Sequence, residues 1–176
     1  MKIPCKGGPV LAPAVRRTAP TTAEAKAALS REVTTALAKA KVQDPSLPAF
    51  LDKAYGYAIF PAVGKGAVGL GGAYGQGEVF ERGKQIGYCD LSQATIGLAL
   101  GGKTFTEIIA FEHKAALEDF KNGRLKLAAE ATAVALKSGT STNVECTNGV
   151  SVLTASPEGL MAEVAIGGQT FTFEPL

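Results

Sequence analysis

Residues Gly97-Leu98-Ala99-Leu100-Gly101-Gly102-Lys103-Thr104 match the phosphate-loop pattern G-x-x-x-x-G-K-T. Such a loop wraps backbone N–H groups around phosphates between a strand and a helix, its lysine reaches the terminal phosphates, and its threonine holds magnesium. The 97–104 loop would make the chain a nucleotide-binding enzyme. Three features oppose that chemistry. Leu98 and Leu100 suit a strand. Thr104 to Phe111, with paired isoleucines, threonines and phenylalanines, is a better strand than helix. No aspartate follows Asp119, so an acidic magnesium partner on a downstream strand is missing. Gly64-Lys65-Gly66-Ala67-Val68-Gly69 matches G-x-G-x-x-G, but a dinucleotide fingerprint needs a helix next. Leu70-Gly71-Gly72-Ala73-Tyr74-Gly75 cannot comfortably supply one.

Other chemistry is sparse. Ser92 lacks a G-x-S-x-G elbow, and the single histidine, His113, stands between Glu112 and Lys114. Glu107, Glu112, Glu118 and Asp119 could pair as carboxylates, but exposed helix and turn charges account for them better. Cys5, Cys89 and Cys146 are widely spaced and odd in number, against both a disulfide framework and a zinc site. No catalytic residue, metal or cofactor is expected. Eighteen basic and 16 acidic residues give a net charge of +2, with no nucleic-acid signal.

The elements that would position any site are short. With 176 residues the chain suits one domain. Residues 1–20, rich in proline, read as a flexible arm, and 21–176 as a single domain. A helix is expected over Thr21 to Lys41, with Thr21 and Glu24 at capping-box spacing and Leu29, Val33, Leu37 and Ala40 on one stripe. Its apolar side is mostly alanine, which favours packing on a sheet over membrane insertion. Asp44, Pro45 and Pro48 begin a shorter helix ending near Lys53. From Ala54 to Gly102 glycines recur among Val, Ile, Leu, Phe and Tyr. A helix would lose roughly 1 kcal/mol per interior glycine, so the stretch reads as short, bent strands.

Strands are expected at Tyr55 to Phe60, closed by Pro61, then Gly66 to Tyr74, Gly77 to Glu81, Gln85 to Asp90, Ala94 to Leu100 and Phe105 to Phe111. Turns fall at Arg82-Gly83-Lys84 and Gly101-Gly102-Lys103. A helix over His113 to Lys121 stops at Asn122-Gly123. Leu125 to Leu136 is helical by propensity and strand-like by alternation. Val150 to Ala155, Leu160 to Ile166 and Thr170 to Phe173 complete the strands. The fold class is α+β: a curved antiparallel sheet or barrel-like sandwich, with an N-terminal helix and a short helix near 113–121.

The segments AYGYAIFPAVGKG, GGAYGQGEVF, IGYCDLSQATIGLALGG and TEIIAF followed by ALEDFKNG resemble the SYLF family. The likeness is close from Ala54 to Gly123 and looser to Leu176. It implies a strand within 125–136 and a non-catalytic module that binds anionic lipid, phosphoinositide headgroups in particular, at a membrane surface. Some fungal members also bind actin, which the resemblance alone adds as a partner. Many bacterial members are small secreted proteins or lipoproteins, and a structural envelope role is a further alternative. The chain has no room for an attached SH3 or FYVE module, which separates it from the eukaryotic members.

On this reading Lys65, Arg82, Lys84 and Lys103, at or near turns, would form a basic rim, assisted by Arg16, Arg17, Lys39 and Lys41. Each cation near anionic lipid contributes roughly 1 kcal/mol. The plainer role of turn lysines is to blunt sheet edges. No segment reaches the roughly 18 apolar residues of a membrane span. As the sequence stands the reading is cytoplasmic; removal of a signal peptide would make it secreted or periplasmic.

Overall fold

The structure, a computed structural model, describes residues 20–65, 73–93, 104–127, 131–156 and 164–176. Among them, helices α1 (Ala23–Gln43), α2 (Leu47–Lys53), α3 (Lys114–Lys121) and α4 (Thr140–Asn143) accompany eight strands. These are β1 (Gly56–Lys65), β2 (Ala73–Glu81), β3 (Lys84–Gln93), β4 (Phe105–Phe111), β5 (Thr132–Ala135), β6 (Val150–Ala155), β7 (Val164–Ala165) and β8 (Gln169–Pro175). The strand order is β7-β5-β6-β4-β1-β2-β3-β8. Every pairing is antiparallel except β5 with β6. The α+β expectation therefore holds.

The sheet must curl. Laid flat, eight strands would hold β7 and β8 roughly 34 Å apart. Yet these edge strands are joined only through Ile166, Gly167 and Gly168, a connection spanning at most about 15 Å. No pairing joins β7 to β8 among the described residues, so the curl stays open.

Alternation along each strand sorts side chains into two cores. Ala58, Phe60, Phe105, Ile109, Phe111, Val152 and Phe171 face the inside of the curl, where α3 adds Leu117 and Phe120. Ile59, Ile108, Leu153 and Tyr88 face outward under Leu29, Val33, Ala36 and Ala40 of α1 and Leu47 and Leu51 of α2. The apolar stripe of α1 is thus spent on the sheet. Phe120 packs its ring 5.0 Å from Phe111 and 5.2 Å from Phe171, closing one end of the interior. Gly77 lets β1 and β2 meet here, because a Cβ at that position would overlap the Ile59 carbonyl oxygen.

Several boundaries differ from the sequence reading. The N-cap of α1 is Thr22, whose hydroxyl accepts from Ala25 N at 3.1 Å, not Thr21. β1 continues through Pro61, where register shifts against both neighbouring strands absorb the missing donor. Tyr74 and Gly77–Glu81 belong to one strand, since inward glycines in β2 pair in register with β3. The β2–β3 turn is the two residues Arg82 (φ 51°) and Gly83 (φ 80°), the left-handed pair that suits strand twist. Among the described residues of 125–136 the strand is Thr132–Ala135, while 125–127 is irregular. The expected strand Ala94–Leu100 and the turn Gly101-Gly102-Lys103 lie outside the described residues.

Candidate functional site

The registers give the curl two ends. Gly56, Glu81 and Phe111 lie at one, the hairpin end; Lys65, Ala73, Gln93 and Gln169 lie at the other, the far end. This divides the expected basic rim. Arg82 and Lys84 stand at the hairpin end. The backbone of Lys65 closes β1 at the far end, roughly 30 Å away along nine residues of strand. Lys103, Arg16 and Arg17 lie outside the described residues. Lys39 and Lys41 also diverge: Lys39 lines a cleft with Arg31 and Glu32, Lys41 a different one.

The second cleft, about 460 Å³, gathers Lys41 from the last turn of α1, Lys53 from the last turn of α2, and Arg82 from the hairpin. The two lysines also offset the carbonyl ends of their helices. Asp52 and Glu112 are the acids in its wall, leaving one net positive charge. Among the described residues the ion pairs are Lys121–Glu118 and Arg124–Asp119, and none of the three cations is in one. Arg82 is held by its backbone, which donates to the Tyr55 carbonyl at 3.0 Å, and by its guanidinium, 5.0 Å over the Tyr55 ring. The Tyr55 hydroxyl donates to Glu81 Oε1 at 2.5 Å, and this bond raises its pKa. Such a cleft can hold an anion by charge and by forked guanidinium donors. The sequence reading missed Lys53 and Tyr55; Lys53 was legible only as the end of a helix.

Of the residues weighed for enzymatic chemistry, 97–103 lie outside the described residues. Thr104 is exposed and leads directly into strand β4, where a phosphate loop requires a helix. The Ser92 hydroxyl pairs with that of Thr170 at 3.1 Å, while His113 caps α3 by accepting from Ala116 N at 3.3 Å. Neither hydrogen bond links the two residues. Among the described residues no three His, Cys, Asp or Glu side chains group as metal ligands, and no helix is long and apolar enough to cross a membrane.

Among the described residues Asp44 and Glu107 have no exposed surface, and Glu78 is nearly as buried. Asp44, between α1 and α2, accepts from Ser46 N and Oγ, Gly139 N, and Ser141 N and Oγ. Burial alone would raise its pKa, but the hydrogen bonds from Ser141 and Ser46 outweigh it and hold the carboxyl well below the usual range. Glu107, expected to be an exposed charge, points from β4 into the interior because it shares the parity of Phe105 and Ile109. It accepts from Gln169 Nε2 at 3.1 Å, and burial pushes its pKa up to about 7.

No family model matches the chain. It is 29% identical over 153 residues to Beta cell expansion factor A of Aeromonas veronii, an alignment covering 86% of this chain. The chain spans 58% of the length of that relative.

Proposed function

We propose that the protein is a non-catalytic module that binds anionic lipid headgroups, phosphoinositides in particular, through the cleft at the hairpin end. The observation that carries this reading is the gathering of Lys41, Lys53 and Arg82, none salt-bridged, around one cleft beside the exposed Lys84. The resemblance to the SYLF family, dense across β1 to α3, supports it. So does the use of α1 in packing, which leaves charge rather than an apolar helix face to meet a membrane. With a net charge of only +2 the attraction is local, and exposed charges are screened beyond roughly 8 Å at physiological salt.

The test is co-sedimentation with phosphatidylcholine vesicles, with and without a few per cent phosphoinositide, at rising salt. Wild type is expected to sediment with the anionic vesicles and to be released by salt. Combined Lys41→Glu, Lys53→Glu and Arg82→Glu should abolish sedimentation, and combined Lys65→Glu and Lys103→Glu should leave it intact. The reverse pattern would move the lipid face to the far end. Indifference of wild type to every anionic vesicle would sink the lipid reading itself.

A further inference from the structure

Inside the far end, polar side chains from four strands converge among apolar ones. They are Glu107 of β4, Thr154 of β6, Gln169 of β8 and Gln93 of β3, all nearly or wholly inaccessible. Gln169 Nε2 donates to Glu107 Oε2 at 3.1 Å and lies 3.5 Å from Gln93 Oε1, while Gln93 Nε2 donates to the Gly167 carbonyl at 3.2 Å. Among the described residues three buried oxygens of this group have no partner: Glu107 Oε1, Thr154 Oγ1 and Gln169 Oε1. Thr154 is the register partner of Glu107, which sets their Cβ atoms about 5 Å apart.

An ionised Glu107 is acceptor only: it can take a hydrogen bond from the Thr154 hydroxyl, but it can offer none to Gln169 Oε1. A protonated one gains an O–H directed from its orphan oxygen, one strand away from the Thr154 hydroxyl. Among the described residues no charge compensates the ionised form. β1 presents its register partner Phe60, β6 presents Thr154, β8 presents Gln169, and β3 presents Gln93 with the Cys89 thiol further along its inner face. Among the described residues no charged group acts on the carboxyl.

We propose that Glu107 is a proton-operated latch. Its neutral carboxyl closes the far end of the interior, and loss of its proton to solvent draws water in and loosens the ends of β3 and β8. The coupling is direct, because Gln93 is the last residue of β3 and Gln169 the first of β8. The raised pKa follows from burial with a single donor. The latch does not rest on the lipid reading and operates at the opposite end of the sheet.

The experiment is a carboxyl-carbon NMR titration of the full chain, with amide hydrogen exchange from pH 5 to 8.5 corrected for the intrinsic rate. Glu107 is expected to titrate with a midpoint of about 7. The opening constant of the Gln93 and Gln169 amides should rise by up to about tenfold per pH unit below that midpoint and level off above it. Amides of Tyr57 and Phe80, near the hairpin end, should show no such rise. Glu107→Gln should remove the pH dependence at the far end. An ordinary carboxylate midpoint for Glu107 would overturn the latch, as would far-end exchange that keeps its pH dependence in Glu107→Gln. Should that variant fail to fold, the wild-type titration decides: a midpoint matching the far-end exchange supports the latch, and a mismatch removes it.

Discussion

Asp44, at the junction of α1 and α2, and Glu107, on the inner face of β4, are both closed to solvent, and the chain surrounds them differently. Asp44 sits where helices begin. The backbone N–H groups of Ser46, Gly139 and Ser141 have no partner in a regular ladder there and turn to its carboxylate, joined by two hydroxyls. Glu107 sits mid-strand, where neighbouring backbone donors are already committed to β1 and β6. One side-chain amide reaches it. Two carboxyls equally out of reach of solvent thus differ: one is held charged, and the other has its pKa pushed up to about 7. Depth and the supply of donors together set the charge state: Glu107 is the more deeply enclosed of the two and has the fewer donors.

The largest test of this contrast is Asp44→Ala. Three backbone donors and two hydroxyls lose their acceptor, at a cost on the order of 4 kcal/mol. For a chain of this size that lowers Tm by about 10 °C, read by calorimetry at pH 7. A fall of only a degree or two would mean that water replaces the carboxylate freely.

The pH profile of stability sharpens the contrast, because the two groups act on opposite flanks. The Asp44 pKa is depressed by folding, so its contribution is complete above the ordinary carboxylate value and is lost as pH falls from there. The Glu107 pKa is raised from 4.5 to about 7. The folded chain holds the extra proton across that window, so stability declines as pH rises through it and is level above. The decline amounts to about 3 kcal/mol. Urea midpoints at pH 5 and pH 8 should differ accordingly in wild type and converge in Glu107→Gln.

Smaller effects follow. Ser141→Ala removes one hydroxyl from Asp44 but leaves the backbone donors, costing about 1 kcal/mol in urea unfolding. Combined Lys41→Glu, Lys53→Glu and Arg82→Glu should change stability by roughly 1 kcal/mol or less, since exposed charges contribute little. If that variant lost vesicle binding while also melting far below wild type, the loss could not be assigned to the cleft.

Much of the scaffold was legible in the sequence. β4, β6 and α3 follow from apolar alternation and clear stop signals, and Arg82-Gly83 is a turn by residue type alone. Pro61 misled because a proline normally ends a strand, and only a bulge matched on both sides lets β1 pass through it. Glu107 misled because its charge argued for exposure, while the parity of Phe105, Ile109 and Phe111 pointed inward. α4 was invisible: its four residues, Thr140–Asn143, owe their helix to Asp44, nearly 100 positions away. The basic cleft was half legible. Lys41 and Arg82 could be named and Lys53 could not, and their grouping depends on which end of an element each occupies, which emerges only from the pairings.

β8 lies beside β3 although Gln169 follows Gln93 by 76 residues. On a ribosome adding roughly 5 to 20 residues each second, β3 therefore waits about 4 to 15 seconds with its outer backbone groups unpaired. Phe171, a buried member of the interior core packed on Phe120, arrives equally late. The newborn chain can build helices and the central hairpins early, but the interior closes only when its final strand has been made. Until then the edge of β3 is a place where another unfinished chain could add a strand, so crowded synthesis exposes this fold to aggregation.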